Sequence, residues 1–115
     1  MATDYRAIAK NVPLSAQKVR LVVDLVRGKN VSEALDMLHF VQTKPAQPIS
    51  KLVRSAMINA EENFGISRND LYIHKIFADV GRTRKWRRFG ARGRWKPWLR
   101  RSSHITVILR NREEN

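Results

Sequence analysis

A dense run of cationic side chains occupies residues 81–101. Ten of the chain's 23 lysines and arginines fall in this run, and it contains no acidic residue. The ten are Arg82, Arg84, Lys85, Arg87, Arg88, Arg92, Arg94, Lys96, Arg100 and Arg101. Guanidinium groups bridge phosphates through their planar fork and stack on bases, so this density of arginine predicts contact with a nucleic acid.

The tryptophans of the chain, Trp86, Trp95 and Trp98, all lie in the same run. Indole rings among arginines favour base stacking. Alternatively, the rings pair across a β-hairpin and stiffen it, as cross-strand aromatic residues commonly do. The two roles are compatible, and the sequence leaves both open.

Outside this run the chain is close to neutral. The whole chain has a net charge of +13 and an isoelectric point of about 11.3. The other residues hold 13 basic and 10 acidic side chains, a net charge of +3. Because the run repels itself, we expect it to become ordered against a partner that supplies negative charge. Lys18, Arg20, Arg27 and Lys29 are further candidates for RNA contact, or for a solvated helix face.

The sequence contains few residues in arrangements that would support catalysis or metal binding. The chain has no cysteine, which excludes disulfides and cysteine-ligated metals. His39, His74 and His104 have no acid or second histidine at ligand spacing, and the adjacent Glu61 and Glu62 would not face one another on a helix. No apolar run suits a signal peptide or a membrane span. We therefore expect a soluble, unprocessed intracellular protein that is not an enzyme and holds no metal or cofactor.

Three amphipathic stripes predict the helices that position these residues. The chain's 115 residues suffice for one domain with one core. The first helix is predicted to start at an N-cap, Ser15, and to stop at Gly28. A second helix, capped by Ser32, should pack on the first. The third ends at Gly65 and holds Pro48 in its first turn.

Three strand patterns complete the body. Tyr5–Val12, Leu71–Val80 and residues 104–109 are rich in β-branched and aromatic residues or alternate in polarity. Alternation in the first strand places Val12 on the same side as Ile8. The second and third strands bracket the basic run, so the run is predicted to be the connection of a β-hairpin.

This hairpin should protrude from the body as an arm. Two antiparallel segments of about nine residues, each rising about 3.4 Å, would carry the tip some 30 Å from the sheet. Gly90 and Gly93 lie near the midpoint, where the chain must reverse. They also match the GXXG clamp of a KH domain, but no helix pair flanks them here.

Three stretches resemble signatures of the large-subunit ribosomal protein twenty-two family. Residues 14–29, LSAQKVRLVVDLVRGK, are similar to its first-helix signature. Residues 55–61, SAMINAE, are similar to its third-helix signature, and residues 103–107, SHITV, to its returning strand. Because the matches keep their order and spacing over nearly the whole chain, they are far more specific than a basic run.

The resemblance implies an α+β fold with one domain, residues 1–115: a small three-stranded antiparallel sheet packed with three helices, plus a long basic β-hairpin at residues 81–101. It implies a structural constituent of the large ribosomal subunit that binds ribosomal RNA, helps assembly and lines the nascent-peptide exit tunnel with its hairpin tip. The implied partners are large-subunit ribosomal RNA, neighbouring large-subunit ribosomal proteins and the nascent peptide, with no membrane and no cofactor. The implied location is the cytoplasmic ribosome, or an organellar one.

The residues expected to act follow from the basic run and from the resemblance. The ribosomal RNA-binding set is Lys18, Arg20, Arg27, Lys29, Arg82, Arg84, Lys85, Trp86, Arg87, Arg88, Arg92, Arg94, Trp95, Lys96, Trp98, Arg100 and Arg101. The tunnel tip is Arg88, Phe89, Gly90, Ala91, Arg92 and Gly93. The family commonly reads Pro-Arg-Ala-x-Gly-Arg-Ala where residues 89–95 read FGARGRW, so Phe89, Gly90 and Trp95 depart from its pattern.

Two other classes fit parts of the sequence. A DNA-bending architectural protein also combines a helical body with a basic β-arm that enters the minor groove. Residues 84–89, RKWRRF, taken alone are similar to a cationic peptide that adsorbs to anionic membranes. An enzyme is the least favoured class, because the sequence supplies no nucleophile, base and stabiliser together.

Overall fold

The computed structural model describes the backbone of residues 3–89 and 95–112, and the side chains of residues 3–83 and 100–112. In chain order the elements are β1 (Tyr5–Val12), α1 (Ala16–Val26), α2 (Val31–Phe40), α3 (Ala46–Phe64), β2 (Leu71–Val80), β3 (Arg84–Phe89), β4 (Trp95–Arg100) and β5 (Ser103–Asn111). A 3₁₀ turn, Arg68–Asp70, precedes β2. The predicted first and second strands coincide with β1 and β2, and the predicted third lies within β5.

β5 is the centre of the body. The order β1-β5-β2 makes an antiparallel sheet, in which Tyr5 pairs with Leu109 on one side and Val80 pairs with Ser103 on the other. The predicted α+β fold, with three helices and a three-stranded antiparallel sheet, is therefore confirmed. The central strand, β5, follows the arm in the chain. The three-stranded sheet therefore cannot form until the segment that contains the arm has been synthesised.

The helices cover one face of this sheet. The α1 stripe of Val19, Val22, Val23 and Val26 is buried, as predicted. From the sheet, alternate residues of β5, including Ile105, Val107 and Leu109, are fully buried beneath the helices. Burying a large aliphatic side chain contributes roughly 1.5–3 kcal/mol, so this shared core is the main source of stability. All of its residues lie in the body.

The helix ends follow from capping residues near the predicted positions. The Ser15 hydroxyl accepts a hydrogen bond from the Lys18 N–H at 3.4 Å, which makes it the N-cap of α1. Gly28 and Gly65, at φ of 80° and 67°, follow the ends of α1 and α3 in the left-handed conformation that glycine adopts without strain. Pro48 lies in the first turn of α3, as predicted.

The second helix differs from its prediction in two respects. It begins at Val31 after an N-cap at Asn30, two residues before the predicted cap Ser32. The Asn30 side-chain oxygen accepts from the Arg112 guanidinium at 2.5 Å and caps no helix N–H. α2 also packs mainly against α3, and its contact with α1 is smaller. The predicted contact of α2 with α1 is therefore present, but α3 is the main partner of α2, which was not predicted.

A β-bulge changes the facing of Val12. The pairing of β1 with β5 shifts register between Ala9 and Val12, and Asn11 has a φ of 58°. Asn11 is among the residues that enter this conformation at low cost. The extra residue turns Val12 into the core, at 8% exposure, whereas strict alternation placed it beside the exposed Ile8.

The N-terminal segment is fixed to the end of β5. The Arg110 Nε donates to the Asp4 carboxylate at 2.6 Å. This hydrogen bond lowers the pKa of Asp4 below its ordinary value. The pair lies beyond β1 at the edge of the open sheet face, so it ties the first described residues to the central strand.

Candidate nucleic-acid interface

The arm is a second, two-stranded antiparallel sheet. β3 and β4 pair from Arg84 opposite Arg100 to Phe89 opposite Trp95. Among the described residues this ladder has six residues per strand, and residues 81–83 and 101–102 separate it from the sheet of the body. Four of the six tip residues, Gly90, Ala91, Arg92 and Gly93, and also Arg94, lie outside the described residues.

The register of the arm opposes residues of like character. Arg84 lies opposite Arg100, Trp86 opposite Trp98, and Arg88 opposite Lys96. Aromatic pairs at opposed positions stabilise a ladder, whereas like charges at opposed positions destabilise it. The opposition of Trp86 and Trp98 favours the role in which the rings stiffen the hairpin. The two cationic pairs suit a partner that brings anions to this ladder.

Close backbone contact fixes the base of the arm. The Gly81 N–H donates to the Ser102 carbonyl at 2.9 Å, and the Ser102 hydroxyl donates to the Arg82 carbonyl at 2.7 Å. A Cβ atom at position 81 would lie 2.6 Å from the Ser102 hydroxyl oxygen and 3.2 Å from its carbonyl atoms. A larger residue at position 81 would therefore require Ser102 to shift, so glycine favours the close approach at the point where the arm leaves the body.

Two of the predicted RNA-binding arginines serve the body itself. The Nε and one terminal nitrogen of Arg20 donate to the Ala78 carbonyl at 3.1 and 2.9 Å. Arg27 donates to the Ile76 carbonyl at 2.9 Å and to the Asp24 carboxylate at 2.6 Å. β2 is an edge strand of the sheet, so these side chains satisfy carbonyls that no neighbouring strand covers. The helical stripe alone gave no sign of this role.

The remaining predicted cations of the body differ in their surroundings. Lys18 is exposed in the first turn of α1. Lys29 lies 4.0 Å from Glu33, an exposed pair that contributes little to stability. Arg82, Arg100 and Arg101 are exposed at the base of the arm. Because Arg82, Arg101 and Lys18 reach the same end of the molecule, the exposed cations of the body continue the charge of the arm.

We expect Arg20→Ala to lower the free energy of unfolding by about 1–2 kcal/mol, because it breaks a bidentate, charge-assisted bond to a partly buried carbonyl. Lys18→Ala removes the same charge from the same helix without touching β2, so its effect should stay within about 0.5 kcal/mol. Urea denaturation of both variants measures the difference. Equal stabilities would show that Arg20 does not support the edge of β2.

A groove lies at the base of the arm, with a volume of about 1050 Å³. Its lining comes from the start of α1, the segment before α3, the end of β2 and the return from the arm. Lys18, Arg20, Lys44 and Arg101 line it, together with Leu21 and Val80. No acidic residue is among its lining residues. Sequence reasoning missed Lys44, which stands alone in a Thr-Lys-Pro break, because only the fold brings it beside Lys18.

None of the three histidines is buried: His39 is exposed, and His74 and His104 are partly buried. His104 Nδ1 accepts from the Asn11 N–H at 3.0 Å, next to the bulge. The His74 ring meets Tyr72 edge to face, and His39 meets Phe40 in the same way. Within residues 3–89 and 95–112 no cluster of three potential metal ligands occurs. None of the helices described is long and apolar enough to cross a membrane.

The fold and the charge pattern define a class: a small α+β protein whose compact body carries a basic β-hairpin arm between its edge strand and its central strand. Residues 7–110 match the family model described as Ribosomal protein L22p/L17e. The chain belongs to that family. The match covers the body and the whole arm, in agreement with the resemblance found in the sequence.

Individual relatives agree over nearly full length. The chain is 51% identical over 106 residues to the large ribosomal subunit protein uL22 of Dehalococcoides mccartyi strain 195, covering 92% of this chain and 97% of the relative. It is 44% identical to the protein of the same name from Pediococcus pentosaceus, covering 97% and 95%. The protein of that name from Clostridium novyi is 45% identical, with 95% and 98% covered.

Proposed function

We propose that this chain is a structural, non-catalytic component of the large ribosomal subunit that binds ribosomal RNA through its arm. Its relatives carry the name of a large ribosomal subunit protein. The single observation that carries the proposal is the arm itself: residues 81–101 hold ten cations and no acid, and six of the ten lie on a ladder in which Arg84 is opposite Arg100. Such a ladder gains most when phosphates lie beside it, because they remove the repulsion between opposed cations.

In this proposal the body anchors the arm at the subunit surface, and the arm inserts between ribosomal RNA domains during assembly. The tip, residues 88–93, then contributes to the wall of the nascent-peptide exit tunnel, so the nascent peptide is a transient partner. Neighbouring ribosomal proteins contact the body. The protein then works within the ribosome, of the cytoplasm or of an organelle, and holds no cofactor.

Nuclease footprinting of large-subunit RNA with and without the full chain tests partner and location together. We expect protection of discrete segments from more than one RNA domain, because the arm and the body are separate contact surfaces. Uniform weak protection, or equal affinity for duplex DNA and ribosomal RNA, would contradict the proposal and support a DNA-bending role instead. Co-sedimentation with anionic vesicles but not with ribosomes would support the membrane alternative.

A further inference from the structure

The groove at the base of the arm combines two surface types that rarely meet by chance on a small protein. Leu21 and Val80, both in its lining, are 71% and 68% exposed. Exposed cations surround them: Lys18 from α1, Lys44 from the segment before α3, and Arg101 from the return of the arm. Cations from three separate parts of the chain thus lie around the same two apolar side chains.

The chemistry of this groove limits what can occupy it. A ligand must present an anionic group to the cations and an apolar surface to Leu21 and Val80. No carboxylate lines the groove to neutralise its charge, so charge complementarity demands an anion. The N-terminus of α1 adds its partial positive charge to the same side. A nucleotide has both required parts, an anionic phosphate and a base with apolar faces.

The volume of the groove suits a nucleotide. Pockets that enclose small molecules measure roughly 300–1,000 Å³, and this groove measures about 1050 Å³. It therefore has room for a nucleotide turned out of its stack. Sequence-specific proteins commonly hold RNA through such unstacked bases.

We propose that this groove holds one unstacked nucleotide of the bound RNA, with its phosphate among Lys18, Lys44 and Arg101 and its base against Leu21 and Val80. The inference rests on the proposed binding to ribosomal RNA and specifies a contact made by the body. It also assigns the groove a positioning role. Val80 and Arg101 flank the base of the arm, so the seated nucleotide ties the arm to the body.

Arg20 connects the groove to the sheet. It lines the groove and also holds the Ala78 carbonyl, two residues before the end of β2. Substituting Arg20 would therefore change both stability and any ligand contact. The decisive variants leave it in place.

The first experiment compares two double variants of the full chain, each of which removes two exposed cations. Lys18→Gln with Lys44→Gln alters the groove, whereas Lys51→Gln with Arg54→Gln alters the exposed side of α3. Binding is measured to the ribosomal RNA fragment that the wild-type chain protects. We expect the groove variant to weaken binding about tenfold or more, and the α3 variant less than threefold. Equal losses would overturn the inference.

The second experiment maps the contact directly. A photoreactive benzophenone amino acid replaces Leu21 in the groove or, as a control, Phe40, which is 80% exposed and does not line it. We expect the Leu21 probe to crosslink to a single nucleotide and to lose that crosslink in the Lys18→Gln, Lys44→Gln background. Crosslinks spread over several nucleotides, or none from a bound complex, would overturn the inference. A wild-type chain that binds no ribosomal RNA would instead overturn the proposed function.

Discussion

Deleting the arm is expected to leave a folded body that has lost most of its affinity for ribosomal RNA. The structure provides the site for this change: the Gly81 N–H and the Ser102 carbonyl are 2.9 Å apart, so an Asn-Gly turn can join residues 81 and 102. The buried core of the described residues comes from β1, the three helices, β2 and β5, all outside the deleted segment. We therefore expect the free energy of unfolding to change by no more than about 1 kcal/mol, since a shorter connection also costs less closure entropy.

The loss of affinity follows from counterion release. If all ten arm cations meet phosphates, the arm alone contributes roughly −7 to −9 to the slope of log affinity against log salt, between the single-strand and duplex coefficients. An interface of this size loses about 10³–10⁵ in affinity between 50 and 200 mM salt. For the armless chain, the slope of log affinity against log salt should therefore be much shallower, because only a few cations of the body contact phosphates. Filter binding across a salt series measures both slopes.

The control for this deletion is an arm of equal length in which the ten cations are glutamine. It restores the connection but no charge, so it should bind as weakly as the armless chain. Wild-type affinity in either variant, or a wild-type slope near −2, would mean that the body and not the arm holds the RNA.

Residue patterns predicted most of the fold because its elements follow strong periodicities. The α1 stripe and the left-handed glycines at 28 and 65 are local features, and they fixed α1 and the ends of α1 and α3 without reference to the rest of the chain. The two strands that bracket the basic run were likewise evident from their composition. The family resemblance implied a three-stranded antiparallel sheet, but neither it nor periodicity predicted the strand order, in which β5 is central.

The features that sequence reasoning missed depend on contacts between distant residues. The N-cap position of α2 is Asn30 and not the predicted Ser32, and the Asn30 side chain binds Arg112, 82 positions away. The groove joins Lys18, Lys44 and Arg101 only after three elements have packed. The fold also revealed that Arg20 binds a sheet carbonyl 58 positions away. Local sequence patterns do not encode such long-range contacts, so Arg20 was interpreted only as a candidate for RNA contact or for a solvated helix face.

Most of the net charge of the chain lies in the arm, and this affects how the protein folds. The body is nearly neutral and holds the core seen among the described side chains, whereas the arm's opposed cations repel one another until anions arrive. The central strand β5 can pair only after the chain has passed through this arm. We infer that the body's core, and not the arm, supplies the free energy that closes the sheet, and that RNA supplies the free energy that seats the arm.

Reversing charge at two arm positions should block that seating without unfolding the protein. Arg92 and Arg94 lie in the sequence between β3 and β4, outside the described residues. In the proposed complex, the double substitution Arg92→Glu, Arg94→Glu replaces two favourable contacts with phosphates by two repulsive ones. The repulsion is strong because many RNA phosphates lie close together around the arm. We expect the variant to fold normally but to be at least about tenfold depleted from large subunits in cells that also express the wild-type chain.

The matched control reverses the same charge on the body, with Lys51→Glu and Arg54→Glu on exposed positions of α3. Both double variants lower the net charge equally, so any effect of overall charge on RNA encounter is shared between them. Quantitative mass spectrometry of purified subunits gives the ratio of variant to wild-type chain. If the arm variant enters subunits as well as the α3 variant does, the arm's charge is not what holds this protein in place. If only the arm variant is depleted, position within the arm and not net charge decides incorporation.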